Sequence, residues 1–241
     1  PATDLAPTRL CGLGMLPLQD IEAALAGVAH LSALELRGVI VASNVNGTSI
    51  ADARFDPVFG ALEAADLAVF VHGYRPAGTE RLLGSPFLAP VVGVPQDTAS
   101  AIASLIMTDI LGRFPSLRFG FAHGGGTFGA VLARMDHVWH EFPQMQAAVA
   151  TSPREYARRF YFDSVTFGPE YLSFLVEMLG SKSVIAGTDG PTPIGQRDLA
   201  AFVSEACKGD REAAENILWR NAVRFLRLED LVEPHVAATT N

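Results

Sequence analysis

Short apolar runs alternate with longer stretches of helical periodicity along nearly the whole chain. The first run, Arg9 to Leu16, stops at Pro17 and predicts a strand. From Gln19 to about Ala33, Ile21, Leu25, Val28 and Ala29 share one stripe at helical spacing, which predicts a helix. Gly38 to Ala42 predicts a second strand, ending in the polar loop Ser43-Asn44-Val45-Asn46-Gly47. Asp56-Pro57 opens a helix to about Ala65, with proline at the position it suits best. Leu67 to Val71 predicts a third strand that ends on His72. A long loop rich in Gly and Pro runs from Gly73 to about Pro95. Gln96-Asp97-Thr98 then reads as the cap of a helix to about Arg113, with Asp97 as N-cap. Leu117 to Ala122 predicts a fourth strand, Thr127 to about His140 a helix, Phe160 to Asp163 a fifth strand, and Gly168 to Leu179 a helix. Ser183 to Gly187 predicts the sixth strand, followed by Thr188-Asp189-Gly190-Pro191. Helices then cover roughly 198–206 and 212–226.

Strict alternation of strand and helix, with strands apolar throughout, predicts an α/β fold whose parallel sheet is covered on both faces. Six βα units are evident and no linker divides them. Residues 1–228 therefore read as a single domain, and 229–241 as a tail with little to hold it.

Composition narrows the function classes. Hydrophobic residues make up 49% of the 241 positions, enough for a sizeable core. A formal charge of -8 with no cluster of Lys and Arg argues against a nucleic-acid partner. Cys11 and Cys207 lie far apart without CxxC spacing, which suits unpaired thiols in a reducing compartment. No apolar run reaches the length of a membrane span, and no signal-peptide pattern opens the chain, so the expectation is a cytoplasmic protein. The sequence begins at Pro1, which is consistent with processing or with a fragment.

Candidate chemistry sits at strand ends. His72, His123 and Asp189 each close a predicted strand, and in parallel α/β folds the carboxyl ends of the strands form the ligand-binding face. Two imidazoles and a carboxylate suit Zn²⁺ and similar divalent ions, and a histidine off the metal can move protons at neutral pH. His123 opens the turn His123-Gly124-Gly125-Gly126. The three glycines tolerate positive φ and are expected to leave open space in front of the imidazole. The alternatives are structural: a core histidine at a tight turn, and an Asp-Gly-Pro turn at Asp189. Arg75, beside Tyr74, either grips a substrate carboxylate or is a plain surface arginine. Asn44 and Asn46 either bind substrate or shape their loop. Asp163 faces the same rim at most. His137 and His140 do not form His-Glu-x-x-His, and with Arg154, Arg158 and Arg159 they read as solvated helix faces. The glycine turn lacks GxGxxG or a following Lys-Ser/Thr, so it is not a phosphate loop.

Phe70-Val71-His72, Arg113-Phe114-Pro115-Ser116-Leu117, Phe121 to Gly126, Gly187 to Pro193 and Asn216 to Ala222 together resemble the aminocarboxymuconate-semialdehyde decarboxylase family of the amidohydrolase superfamily. The similarity runs from about Leu10 to Leu228. It implies a TIM-like (β/α)₈ barrel carrying one divalent ion, usually zinc with manganese as the alternative, and no organic cofactor. It also implies that His72 and Asp189 are metal ligands, that His123 is a catalytic acid/base, and that Asp189 carries protons as well. The implied reaction is non-oxidative decarboxylation of a small unsaturated or aromatic carboxylate by a homodimer. Hydrolysis of an amide or lactone on the same barrel, or a non-catalytic homologue, are the alternatives. Two positions depart from the family pattern: Gly73 stands where proline is common, and Gly190 follows Asp189 where tyrosine is common. The six units match the third to the eighth of the barrel. No His-x-His or Glu-x-His motif precedes Leu10, so the expectation is the larger part of a longer protein.

Overall fold

The computed structural model describes residues 10–230; most of the expected C-terminal tail lies outside them. Six parallel strands form one sheet: β1 (Gly14–Met15), β2 (Gly38–Ala42), β3 (Ala68–His72), β4 (Phe119–Phe121), β5 (Tyr161–Asp163) and β6 (Val184–Ile185). They pair in chain order, each strand parallel to the next. Among the described residues, β1 and β6 have one neighbour each, so the sheet is open at both sides.

The principal helices following the strands are α1 (Ile21–Ala33), α2 (Asp56–Ala64), α3 (Val94–Met107), α4 (Phe128–Glu141), α5 (Pro169–Leu179) and α6 (Leu199–Ala206). The Asp20 side chain caps α1 by accepting from Ala23 N at 3.0 Å, and Pro57 opens α2. Val39, Val41, Val69 and Val71 point to the helices and are buried. An aromatic cluster continues that layer: Phe121 lies 5.1 Å from Phe160 and 5.8 Å from Phe162, and Phe162 stacks on Phe128.

The other face of the sheet lines the inside. Ile40, Phe70, Gly120 and Tyr161 are in register across four strands. The closing helical segment delivers Phe225 onto this row, 6.5 Å from Phe70 and 5.1 Å from Tyr161. A Cβ at Gly120 would stand 3.0 Å from that ring, so glycine makes room for it. Arg118 holds the segment by donating from Nε to Phe225 O at 2.7 Å. The plug fills the end of the inner face away from the strand carboxyl termini, so the strand-end residues keep the open end.

Several elements differ from expectation. The first strand pairs over two residues only, because β2 is its one neighbour. The loop after β2 forms a small antiparallel ribbon, Asn44–Val45 with Thr48–Ser49. The helix expected to start at Gln96 begins at Val94, with Pro95 setting its first turn, and stops at Met107 before a short helix at Ile110–Arg113. Asp97 is therefore inside the first turn and is not the N-cap. Two helices opened by proline fill the stretch before β5: Pro143–Ala148, where no element is expected, and Pro153–Ala157, which carries Arg154 of the expected helix face. No helix among the described residues is long and apolar enough to cross a membrane.

Candidate active site

His72 is the last residue of β3, in register with Ala42 of β2. Its Nδ1 lies 2.7 Å from Gly73 O. A carbonyl only accepts, so Nδ1 carries the proton and Nε2 presents its lone pair outward. Gly73 packs against the first turn of α3, where a Cβ would come 2.5 Å from Val94 O. Glycine at this position lets the helix sit directly on the strand end.

His123 follows β4, whose end is fixed to β3 by Ala122 N donating to Val71 O at 3.0 Å. His123, Gly124, Gly125 and Gly126 all have positive φ, at 57°, 60°, 76° and 63°. The glycine positions themselves are closely packed. A Cβ at Gly124 would meet Leu175 and Thr166 at 2.8 Å, one at Gly125 would meet Phe162 at 2.7 Å, and one at Gly126 would overlap the backbone of Pro95. The glycines serve a left-handed turn in a close-packed place. Tyr171 of α5 closes it by donating its hydroxyl to Gly126 O at 2.8 Å.

The two imidazoles meet edge to face, with ring centroids 4.8 Å apart. His123 Nδ1 is buried and has no hydrogen-bond partner among the described residues. Burial, then the neighbouring His72, lowers the His123 pKa from its ordinary value, and the charge of Asp189 opposes them. His123 is therefore neutral at pH 7. Asp189 is half-buried in the loop after β6, with a left-handed φ of 54°.

Asp163 proves more central than its sequence position suggests. It is buried at the end of β5, and its Oδ1 accepts from Gly124 N at 2.9 Å and from Val165 N at 3.0 Å. A Cβ at Gly187 would lie 3.2 Å from Asp163 Cβ, so the residue sits between the His123 turn and the Gly187-Thr188-Asp189 strand end. Burial pushes its carboxyl up to about 6, against the opposing pull of the backbone N–H groups that face it. A strand-end carboxylate was the only signal for it in the sequence; Tyr171 gave none.

A cavity of about 670 Å³ opens beside His72, walled by Met15, Ile40 and Ala42 and rimmed by Asn44, Tyr74 and Arg75. Arg75 is exposed, with its guanidinium over the Tyr74 ring at 5.6 Å. Asn44 is heavily committed: Nδ2 donates to Tyr74 O at 3.0 Å and Asp97 Oδ2 at 2.9 Å, and Oδ1 accepts from Gly47 N at 3.0 Å. Asp97 also accepts from Ser43 Oγ, so its carboxylate ties α3 to the loop after β2. Asn46, His137 and His140 are exposed, and neither histidine reaches the strand ends.

The donor chemistry fits a divalent ion: His72 offers Nε2 from a fixed tautomer, and Asp189 offers a carboxylate. Among the described residues, however, no group of three or more His, Cys, Asp or Glu is placed to hold one. A complete site needs a further donor from outside them.

A parallel α/β sheet with His, His and Asp at its carboxyl ends is of the α/β barrel class, whose sites lie at that face. Residues 2–228 match the amidohydrolase family, and the chain belongs to it. It is 36% identical to the 2-amino-3-carboxymuconate-6-semialdehyde decarboxylase of Dictyostelium discoideum, over 92% of this chain and 62% of that protein. The chain thus spans about three-fifths of the length of that relative. Its structure resembles Metarhizium anisopliae IDCase in the apo form, with TM-score 0.83 and 29% identity over 95% of this chain and 67% of that one. It also resembles a dihydroxybenzoic acid decarboxylase from Polaromonas with bound manganese and 2-nitroresorcinol, with TM-score 0.81 and 21% identity over 94% and 71% of the two chains. The fold is that of the (β/α)₈ barrel, represented here by six βα units.

Proposed function

We propose that this chain carries the larger part of a metal-dependent, non-oxidative decarboxylase acting on a small unsaturated or aromatic carboxylate. The observation that carries the reading is the meeting of His72 and His123 at the carboxyl ends of adjacent strands, within the electrostatic reach of Asp189 and beside a largely apolar cavity. The name of the Dictyostelium relative agrees with it.

In this reading His72 Nε2 and the Asp189 carboxylate hold one divalent ion, zinc or manganese, together with donors outside the described residues. Bound there, the ion would polarise substrate oxygens. Ile40, Met15 and Ala42 pack against the apolar part of the substrate, and Arg75 pairs with its carboxylate or steers it. Burial lowers the His123 pKa and favours its neutral ring, which takes up a proton from solvent water and passes it to the carbon bearing the carboxylate. A C–H bond forms there, the C–C bond to the carboxylate breaks, its electron pair returns to the carbon framework, and CO₂ leaves. No electrons are exchanged with an outside partner, so no organic cofactor is needed. The same reading includes a homodimer, from the family resemblance, and a cytoplasmic setting, consistent with free Cys11 and Cys207.

The test is CO₂ release by the full protein loaded with Zn²⁺ or Mn²⁺. The substrates are a panel of hydroxybenzoates and 2-amino-3-carboxymuconate-6-semialdehyde. Stoichiometric CO₂ with the matching decarboxylated product supports the reading. Ring opening of lactones or amides without CO₂ replaces it with a hydrolase.

A further inference from the structure

We infer that Asp163 is the positioning residue for His123: through Oδ1 it holds the turn that sets the imidazole against the His72 ring. The inference rests on the acid/base role of His123 proposed above.

His123 is a non-glycine residue with φ of 57°, followed by three more positive-φ positions. Such backbone is strained and persists only where the surroundings over-determine it. The bonds within the turn, Gly125 N to Ala122 O and Gly126 N to His123 O, close it locally but do not orient it against the rest of the fold. That orientation comes from across the sheet. Asp163 lies 39 residues away from Gly124 in sequence, and its one oxygen receives the N–H of Gly124 at 2.9 Å and of Val165 at 3.0 Å. Two chain segments, the turn after β4 and the loop after β5, are thereby locked to a common point.

The chemistry of the choice is informative. A buried carboxylate is costly, and an apolar side chain at the end of β5 would pack at lower cost unless the oxygen is needed. Asp163 is nonetheless the one acidic or basic residue buried among the described residues. Its Oδ1 is consumed by backbone donors, so that oxygen acts on the reaction through the His123 turn. Tyr171 and the Pro95 backbone pack the far end of the turn, at Gly126, and leave the His123–Gly124 peptide to Asp163.

The experiment compares Asp163→Asn and Asp163→Ala with the wild type in the full, metal-loaded protein. Asparagine keeps an Oδ1 acceptor, whereas alanine removes it. Three quantities are read: hydrogen-exchange protection of the Gly124 and Val165 amides, the NOE between the His72 and His123 rings, and kcat with KM. With alanine, both amides are expected to lose protection, the ring NOE to vanish, and kcat to fall about 100-fold with KM nearly unchanged, as for a misplaced catalytic group. With asparagine, protection, NOE and most of the turnover are expected to be retained. Alanine that keeps the ring NOE and turnover overturns the inference. So does asparagine that keeps protection and NOE but loses turnover as alanine does, because the charge would then be the working element. Should alanine fail to fold, the asparagine outcomes decide alone. Should the wild type release no CO₂, the proposed activity falls, while the amide and NOE readings still support or overturn the positioning role.

Discussion

Gly126→Ala tests whether the glycine turn is required for packing as well as for backbone freedom. Two effects add. Gly126 has φ of 63° with ψ of -128°, a backbone favoured by glycine that costs an alanine about 1–3 kcal/mol. The new Cβ would also stand 2.7 Å from Pro95 Cα and nearer still to its carbonyl. These are backbone atoms that cannot rotate aside, and overpacking of that kind costs about 1–3 kcal/mol. The sum is a loss of about 2–6 kcal/mol, or a fall in Tm of about 5–25 °C for a domain of this size. Gly209→Ala is the internal control. Gly209 has φ of 81° with nothing within 4 Å of its would-be Cβ, so only the backbone effect applies. That control should lose about 1 kcal/mol, since alanine also restricts the unfolded chain. Urea unfolding of both variants at one pH, analysed with a common m, gives the two numbers. A loss at Gly126 no larger than at Gly209 would refute the close-packed account of the turn.

The remaining predictions concern the site. His123→Ala should lower kcat by about 10²–10⁴-fold while leaving bound metal unchanged, measured by steady-state rates and elemental analysis. Arg75→Ala should raise KM about tenfold with little change in kcat if Arg75 binds the substrate carboxylate in the ground state; an unchanged KM removes it from the site. The carboxyl of Asp163 stands at about 6 in the folded protein, against an ordinary value of 3.8. Between these values the folded state holds more protons than the unfolded one. Its contribution is therefore full below the lower value and is lost as pH rises through the higher, by up to about 3 kcal/mol. His123, with its lowered pKa, contributes the opposite slope below its ordinary value. Urea unfolding across that range should show the downward contribution in the wild type and not in Asp163→Asn; parallel profiles would contradict it.

The strand ends were the most legible part of the sequence. Apolar runs of four to six residues between helical stretches located β2 through β6, and the residues just beyond them gave His72, His123 and Asp189. What escaped was whatever depends on neighbours distant in sequence. Strand length is set by pairing: the run up to Leu16 is as apolar as the others, yet it pairs only at Gly14 and Met15. Asp97 looked like a cap because capping residues are chosen locally, but its partners are Ser43 and Asn44, over fifty positions earlier. The three glycines after His123 were correctly read as positive-φ positions. Their close packing was hidden, because Leu175, Phe162 and Pro95 come from three other segments. Asp163 carried one weak signal, its place at a strand end, and its burial against the His123 turn could come only from the fold.

The central claim is that residues from separate strand ends form one metal and proton-transfer site with divided roles. Metal content of the full protein and its variants, by elemental analysis after exhaustive dialysis, tests it most directly. About one Zn²⁺ or Mn²⁺ per chain is expected, lost in His72→Ala and Asp189→Asn and retained in His123→Ala. Metal that survives both ligand substitutions, or that is lost with His123, would contradict it.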